Sequence, residues 1–165
     1  MSVFPIRVYG DPVLRTETKE VGEIDDSIRR LVADMIETMY DAPGVGLAAN
    51  QVGVGRRIAV FDPQDDLGAR VMINPRVVHT EGEFEMEEGC LSVPGYFWPI
   101  TRPEYAVVEA TNLEGEAVTY EGDGLIGRVL QHECGHLDGG LLLDAMVKKE
   151  RKKALAEINR ESMGL

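Results

Sequence analysis

Near the C-terminus, the chain carries the sequence His-Glu-x-x-His at residues 132–136. An α-helix advances by about 100° per residue, so histidines four positions apart lie on one face, one turn apart. Two imidazoles on one helical face can bind one divalent metal ion, and Glu133 lies close enough to reach a water at that metal. The fold must therefore place a helix beside whatever element supplies the next metal ligand.

Some candidates for a third ligand lie on or after the same helix. Cys134 lies about 200° around the axis from His132, so its thiol points away from the histidines. Glu150 and Glu157 lie in a charged stretch, where solvent-exposed side chains are the simpler interpretation. A peptidase that cuts internal peptide bonds would need such a downstream ligand, and the sequence has no histidine after His136.

The remaining candidate is Cys90, which lies well before the helix. A thiolate is a strong ligand for zinc and ferrous iron, and the preceding Gly89 permits a bend toward the helix. One cysteine and two histidines leave one coordination position for water. That arrangement is typical of catalytic zinc sites, whereas structural sites have four protein ligands and would here require Cys134.

The net charge of −12 limits the partners of this chain. An acidic chain repels nucleic-acid phosphates, so we expect no direct specific binding of nucleic acid.

Two cysteines exclude a disulfide-rich secreted scaffold, and 44% hydrophobic residues indicate a globular core. No apolar run is long enough to span a bilayer, and no secretory signal is evident. We therefore expect a cytoplasmic protein without membrane contact, with one domain at residues 1–165.

The remaining pattern predicts an α+β fold. Helical spacing of apolar residues predicts an amphipathic helix over about 26–40, a metal helix from an N-cap at Asp123 to about Leu137, and a charged helix over 147–162. Strands are expected at 56–61, 70–74, 76–83, 104–112 and 116–121. Pro75 is expected to break the chain so that the strand after it can pair with the strand before it. This order favours antiparallel β-sheets packed around the metal helix, with an N-terminal and a C-terminal helix.

Two further segments are dense in glycine and polar residues. Residues 44–53 contain three glycines but lack the Gly-Lys-Ser/Thr ending of a phosphate-binding loop. This segment fits a tight turn that enters a sheet. It also fits a backbone that a ligand can approach closely, with Gln51 as an amide donor. The second segment, residues 87–95, contains Cys90 and precedes the aromatic residues 96–98.

In order and spacing, these three segments resemble the motifs of the peptide deformylase family. They read Gly-Val-Gly-Leu-Ala-Ala-Asn-Gln at 44–51, Glu-Gly-Cys-Leu-Ser at 88–92 and Gln-His-Glu-Cys-Gly-His-Leu at 131–137. The resemblance implies a hydrolase that removes the formyl group from the N-terminal formyl-methionine of new polypeptides. It also implies one divalent metal ion, Fe(2+) first and Zn(2+) as an alternative. The implied ligands are Cys90, His132 and His136.

The resemblance also implies which groups act in the reaction. Glu133 is the expected base and then acid, and the side-chain amide of Gln51 and the backbone N–H of Leu91 are the expected donors to the oxyanion. A non-catalytic relative that only binds a ligand would be expected to have a broken ligand set, and here the set is intact.

An apolar pocket for methionine is expected beside the metal. The helix face with the two histidines also carries Leu125 and Val129, and Val45 on the glycine segment can close the pocket. As in the family, Gly46 is expected to offer its backbone to the peptide. The aromatic residues 96–98 can wall the groove further out or pack in the core.

Two helix residues depart from expectation. Gly135 stands where the family commonly has an acidic residue, and a glycine inside a helix costs about 1 kcal/mol relative to alanine. Because that acidic side chain is neither ligand nor base, its loss is expected to alter the support around His136 and not the reaction. Arg128 lies one turn before His132, where an aliphatic wall would be natural. Its stem can cover apolar surface while the guanidinium reaches water or a carboxylate.

One basic cluster, from Lys148 to Lys153, stands out in this acidic chain. The family resemblance suggests that a C-terminal helix contacts the ribosome. A solvated helix face is the alternative interpretation of the same charges.

Overall fold

The computed structural model describes residues 2–164 of the chain. Its helices are α1 (Asp26–Asp41), α2 (Gly124–Leu137) and α3 (Lys148–Ser162). Its strands are β1 (Gly46–Ala48), β2 (Ile58–Phe61), β3 (Arg70–Glu81), β4 (Phe84–Cys90), β5 (Val93–Arg102), β6 (Tyr105–Thr111) and β7 (Ala117–Gly122). Short 3₁₀-helices cover Pro12–Arg15, Ala49–Val52 and Leu142–Ala145. The predicted α+β class with its three helices is confirmed. Among the described residues, no helix combines the length and the apolar composition that crossing a bilayer requires.

All strand pairs in the two sheets are antiparallel. The larger sheet has the order β1-β2-β3-β6-β7, and β4 pairs with β5 in a separate hairpin. Side chains of a strand alternate between faces, and β2 shows the result. Ile58 and Val60 pack in the core cluster that contains the apolar stripe of α1. Ala59 and Phe61 pack instead with Leu130 and Leu137 of α2. The large sheet therefore lies between α1 and α2.

The start of α1 follows from its sequence. Asp25 is the N-cap, and its side chain accepts a hydrogen bond from the N–H of Ile28 at 3.0 Å. Such a cap satisfies one of the free N–H groups in the first turn. The apolar stripe at helical spacing is then buried, with Val32 and Met35 at 1% exposure or less. The predicted helix is confirmed within one residue of its expected end.

One long strand, β3, runs through Pro75 where two strands that pair with each other were expected. That prediction was wrong, because β3 pairs with β2 on one side and with β6 on the other. The pairing with β6 shifts register between Ile73 and Arg76, and a proline is tolerated at such an irregularity because no ladder N–H is needed there. Asn74 has φ of +53°, and its side chain bonds both the N–H and the C=O of Val21. These bonds hold the irregular backbone in place.

The β4-β5 hairpin connects the site region to α3. Ile100 of β5 is buried with Leu143 and Ala154, and Trp98 packs against the same cluster. Of the two roles expected for Trp98, the structure therefore shows packing in the core. Tyr96 stacks on Trp98 with ring centroids 5.3 Å apart, and its hydroxyl donates to Glu161 in the last turn of α3 at 2.5 Å. The β4-β5 hairpin therefore packs against the C-terminal helix α3.

Candidate metal centre

Cys90, His132 and His136 meet at one point, although they come from two distant parts of the chain. Cys90 ends β4 at a register shift of the hairpin, and both histidines lie on α2. The Sγ of Cys90 lies 3.2 Å from Nε2 of His136, and the two Nε2 atoms are 3.0 Å apart. All three donor atoms lie within 4.8 Å of one another. A thiolate and two imidazoles at such separations suit one zinc or ferrous ion.

The competing ligand candidates lie elsewhere. Cys134 is 3% exposed and packs in the core cluster on the sheet side of α2. Burial raises the pKa of its thiol to about 12, which leaves it a neutral core side chain. Glu150 and Glu157 are exposed on α3. Within residues 2–164, the Cys90 group is the one cluster of three or more donors close enough to share an ion.

Glu88 orients the first histidine. One of its oxygens lies 2.6 Å from Nδ1 of His132, and Arg102 donates a hydrogen bond of 2.9 Å to each oxygen. Burial alone would raise the pKa of Glu88, but the hydrogen bonds from His132 and Arg102 outweigh it and lower the pKa to about 2. The ionised carboxylate engages Nδ1 and so leaves Nε2 for the metal side, as carboxylates behind metal-bound histidines do.

The sequence interpretation missed this support. Glu88 lies two residues before Cys90 in the same motif, which is the only signal that pointed to it. Arg102 carried no signal, because its partner lies across the hairpin.

The two histidines differ in their preferred charge. Burial and the charge of His132 lower the pKa of His136 well below its ordinary value, so His136 is neutral, as a ligand must be. Burial would also lower the pKa of His132. However, the charge of Glu133, the nearby thiol of Cys90 and the hydrogen bond to Glu88 raise it well above the ordinary value. A proton and a metal ion therefore compete for His132.

The side chain of Asn50 donates to the backbone C=O of His136 at 2.5 Å, which ties this end of α2 to the glycine segment.

The side chain of Glu133 lies against Gly46, where any larger residue would have to displace it. This side chain is buried, and a Cβ atom at Gly46 would lie 2.6 Å from Oε2 of Glu133. Real Cβ atoms essentially never approach that closely. Burial raises the pKa of Glu133 to about 7, although the charge of His132 opposes that rise. The glycine at position 46 thus makes room for a carboxylate of this chain, a reason that the sequence interpretation did not foresee.

The amide of Gln51 is held in one orientation. Its Oε1 accepts a hydrogen bond from the N–H of Ala48 at 2.9 Å. Its Nε2 donates to Oγ of Ser92 at 3.0 Å and lies 3.6 Å from the Sγ of Cys90. The NH₂ group therefore points toward the thiol. Ser92 ends the Glu-Gly-Cys-Leu-Ser segment at 88–92, but its role in orienting Gln51 was not predicted.

These groups line one cavity of about 440 Å³. All four residues predicted to bind substrate contribute to its wall: Val45, Gly46, Leu125 and Val129. The predicted catalytic residues Gln51, Leu91 and Glu133 also line it, as do Cys90 and His132. Tyr96 and Phe97 border the cavity, whereas Trp98 does not. The structure thus brings together the predicted residues in one concave site, with His136 behind it.

The two unusual helix residues have different surroundings. A Cβ atom at Gly135 would meet nothing within 4 Å, so the glycine leaves open space without disturbing the helix. Arg128 is 4% exposed and lines the cavity. Its Nη1 lies 3.4 Å from Oε2 of Glu88, and its Nη2 donates to the C=O of Phe84. The expected contact between this guanidinium and a carboxylate is confirmed.

A cysteine and two histidines beside a cavity, with a buried glutamate on the helix of the histidines, are the groups that a metal-dependent hydrolase requires. Comparison with known proteins agrees. The sequence model of the polypeptide deformylase family matches residues 3–152. A peptide deformylase of Acidothermus cellulolyticus is 46% identical over 158 residues, which cover 96% of this chain and 87% of that protein.

Solved structures show the same fold. A peptide deformylase from Legionella pneumophila has a TM-score of 0.90 at 39% identity and covers 98% of this chain and 96% of its own. A peptide deformylase from Ehrlichia chaffeensis in complex with actinonin has a TM-score of 0.90 at 38% identity, with 98% of each chain covered. The chain belongs to the polypeptide deformylase family, so the predicted family and enzyme class are confirmed.

Proposed function

We propose that Cys90, His132 and His136 bind the metal ion of this enzyme and that the ion is Fe(2+), with Zn(2+) as the alternative. As a member of its family, the chain is a hydrolase that removes the formyl group from the N-terminal formyl-methionine of new polypeptides. The observation that carries the ligand proposal is the approach of one thiol sulfur to two imidazole nitrogens, all within 4.8 Å. When bound, the metal would act as a Lewis acid and lower the pKa of a coordinated water.

Glu133 moves the protons. In the hydrolysis, the oxygen of water bonds to the formyl carbon, the C–N bond breaks, and formate and a free amine leave. The Glu133 carboxylate lines the cavity next to the ligand set, so it can take the proton of the attacking water and pass it to the leaving nitrogen. Because its Oε1 is buried without a hydrogen-bond partner among the described residues, the carboxylate is not committed to any other group.

The donors to the oxyanion come from both other motifs. The NH₂ of Gln51 is aimed at Cys90 by Ser92, and the Leu91 backbone follows Cys90 directly. Preorganised donors of this kind stabilise the charge that develops on the formyl oxygen. The methionine side chain then lies in the pocket of Val45, Leu125 and Val129, and the backbone of Gly46 faces the peptide. The whole chain serves as one catalytic domain that acts in the cytoplasm.

We expect Gln51→Ala to lower kcat for a formyl-methionyl peptide by about 100-fold, because one oxyanion donor is lost. Steady-state rates and metal content of the purified variant provide the measurement. Gln64→Ala makes the same chemical change on an exposed loop and should leave the rate unchanged. An unaltered kcat in Gln51→Ala would show that this amide does not stabilise the oxyanion.

Anaerobic purification followed by metal analysis tests the metal assignment. We expect about one Fe(2+) per chain, in line with one three-ligand site, and hydrolysis of formyl-Met-Ala-Ser that disappears on chelation. Activity should return when Fe(2+) or Zn(2+) is added back. Full deformylation by protein stripped of all metal would contradict the proposal.

We also propose that α3 contacts the ribosome. The lysines at 148, 149, 152 and 153 are exposed, while Ala154, Leu155 and Ile158 pack toward the hairpin. The positive charge therefore faces outward, where it can meet ribosomal phosphates.

Reversing these four lysines to glutamate should abolish co-sedimentation with ribosomes at low salt. Deformylation of a short peptide should stay unchanged, since the lysines lie outside the cavity. Arg30→Glu, a reversal on the exposed side of α1, is the control and should sediment like the unmodified protein. Unchanged co-sedimentation of the fourfold variant would remove the ribosome proposal.

A further inference from the structure

Arg128 places a cation in the wall of a pocket that receives an apolar side chain. It lines the cavity together with Met86, Leu125 and Val129, and only 5% of its side chain is exposed. A thioether offers a guanidinium very little, because its sulfur is a weak hydrogen-bond acceptor. The guanidinium carbon lies 5.8 Å from the centre of the Phe84 ring, but an aliphatic side chain at position 128 would suit methionine as well, so the pocket does not need this charge to bind methionine.

Its ion pair with Glu88 does not account for it. Glu88 already receives two hydrogen bonds of 2.9 Å from Arg102 and contacts His132 at 2.6 Å. Arg128 reaches the same carboxylate only at 3.4 Å, at the long end of hydrogen-bonding distance. Arg102 is therefore the main partner of Glu88, and Arg128 is a weaker second one.

The guanidinium also retains free donors. Arginine has five N–H groups, and the described contacts use one on Nη1 and one on Nη2, the latter with the C=O of Phe84. Nε of Arg128 has no acceptor among the described residues, and it is not fully enclosed by protein. Arg128 borders the cavity, so a side chain bound there lies within reach of a donor that has no protein partner.

We propose that Arg128 extends the substrate range of this enzyme to N-formyl residues whose side chain has the length of methionine and ends in a hydrogen-bond acceptor. Formyl-methionine sulfoxide is an example of such a residue. This inference rests on the proposed function, since it places the first side chain of the substrate in the same pocket. The sulfoxide is bound and not reduced. The reaction stays a hydrolysis, in which water adds to the formyl carbon and formate leaves.

The physical reason is the cost of a buried polar group. A sulfoxide oxygen that enters an apolar pocket loses its water and gains nothing in return, so such a pocket rejects it. A guanidinium N–H replaces the lost water with a charge-assisted hydrogen bond. The same N–H gains nothing from norleucine, which has the shape of methionine without an acceptor. Arg128 thus changes the relative rates of the two substrates.

The test compares kcat/KM for three peptides: formyl-Met-Ala-Ser, formyl-Met(O)-Ala-Ser and formyl-Nle-Ala-Ser. In the holoenzyme, the ratio of sulfoxide to norleucine should be about tenfold or more above the ratio in Arg128→Met, the typical contribution of a hydrogen bond to a charged group. Each ratio is taken within one protein, so a general loss of metal or of stability cancels. Arg128→Leu, which also lacks any hydrogen-bond donor, answers the same question if the methionine variant does not fold.

Arg102→Met provides the matched control. It removes the main arginine of Glu88, but Arg102 does not line the cavity. We expect it to lower all three rates together and to leave the ratio unchanged. Equal ratios in the unmodified protein and both Arg128 variants would overturn the proposal. An unmodified holoenzyme that cleaves none of the three peptides would instead contradict the proposed function.

Discussion

Glu133→Gln should lower kcat/KM for a formyl-methionyl peptide by about two orders of magnitude or more, with the metal content unchanged. The amide has the size of the carboxylate but cannot accept the proton of the attacking water. Glu133 is not one of the three donors that lie within 4.8 Å of one another, so its replacement leaves the ligand set complete. Rates and metal content are to be measured on the same preparation, because only their combination separates a proton-transfer role from a structural one.

Glu157→Gln is the control for this substitution. Glu157 is exposed on α3, outside the cavity, and its neutralisation should alter neither rate nor metal content. A Glu133→Gln enzyme with full kcat/KM would exclude Glu133 as the proton acceptor. A variant that loses its metal would show that Glu133 supports the ligands and would contradict the expected separation of metal binding from proton transfer.

Cys90→Ser should abolish stable metal binding, and with it deformylation. A serine hydroxyl is a far weaker ligand for zinc or ferrous iron than a thiolate, and two histidines alone are too few. The loss of affinity should exceed the roughly 10- to 100-fold that follows removal of a hydrogen-bond partner behind a ligand. Metal content after dialysis against a weak chelator is the measurement, with far-UV circular dichroism to establish that the fold is retained.

Cys134→Ser makes the same change at the other cysteine. Cys134 packs in the core next to α2, so we expect reduced stability but a normal metal content. Full metal content in Cys90→Ser would contradict the ligand set. It would favour the alternative that the sequence left open, a peptidase with a third ligand other than cysteine.

Much of the fold followed from local pattern. The stripe that begins at Ile28 predicted α1, and the helical spacing of residues 125, 129, 132 and 136 predicted α2 with its pocket face. Both predictions rest on helix geometry, which depends on neighbours three and four positions apart. The mistaken break at Pro75 has the opposite origin. Whether a proline ends a strand depends on the pairing partner, and here β6 shifts register at that point.

The residues that hold the metal ligands in place could not be predicted from local sequence patterns. Glu88 and His132 are 44 positions apart, as are Arg128 and Phe84, and Arg102 reaches Glu88 only because β5 folds back on β4. No spacing rule connects such residues. Gly46 illustrates the same limit, because its closeness to Glu133 requires β1 to lie against α2.

By itself, the sequence determined that His132 and His136 share one helical face and that Cys90 is the better of the two cysteines to join them. Both conclusions follow from the pitch of a helix, which every α-helix has in common. Only the tertiary structure decided that the sulfur lies 3.2 Å from a histidine nitrogen, that Glu88 holds the other ring and that Arg128 faces the pocket. These distances depend on how the hairpin and sheet pack against α2, and packing joins residues far apart in the chain.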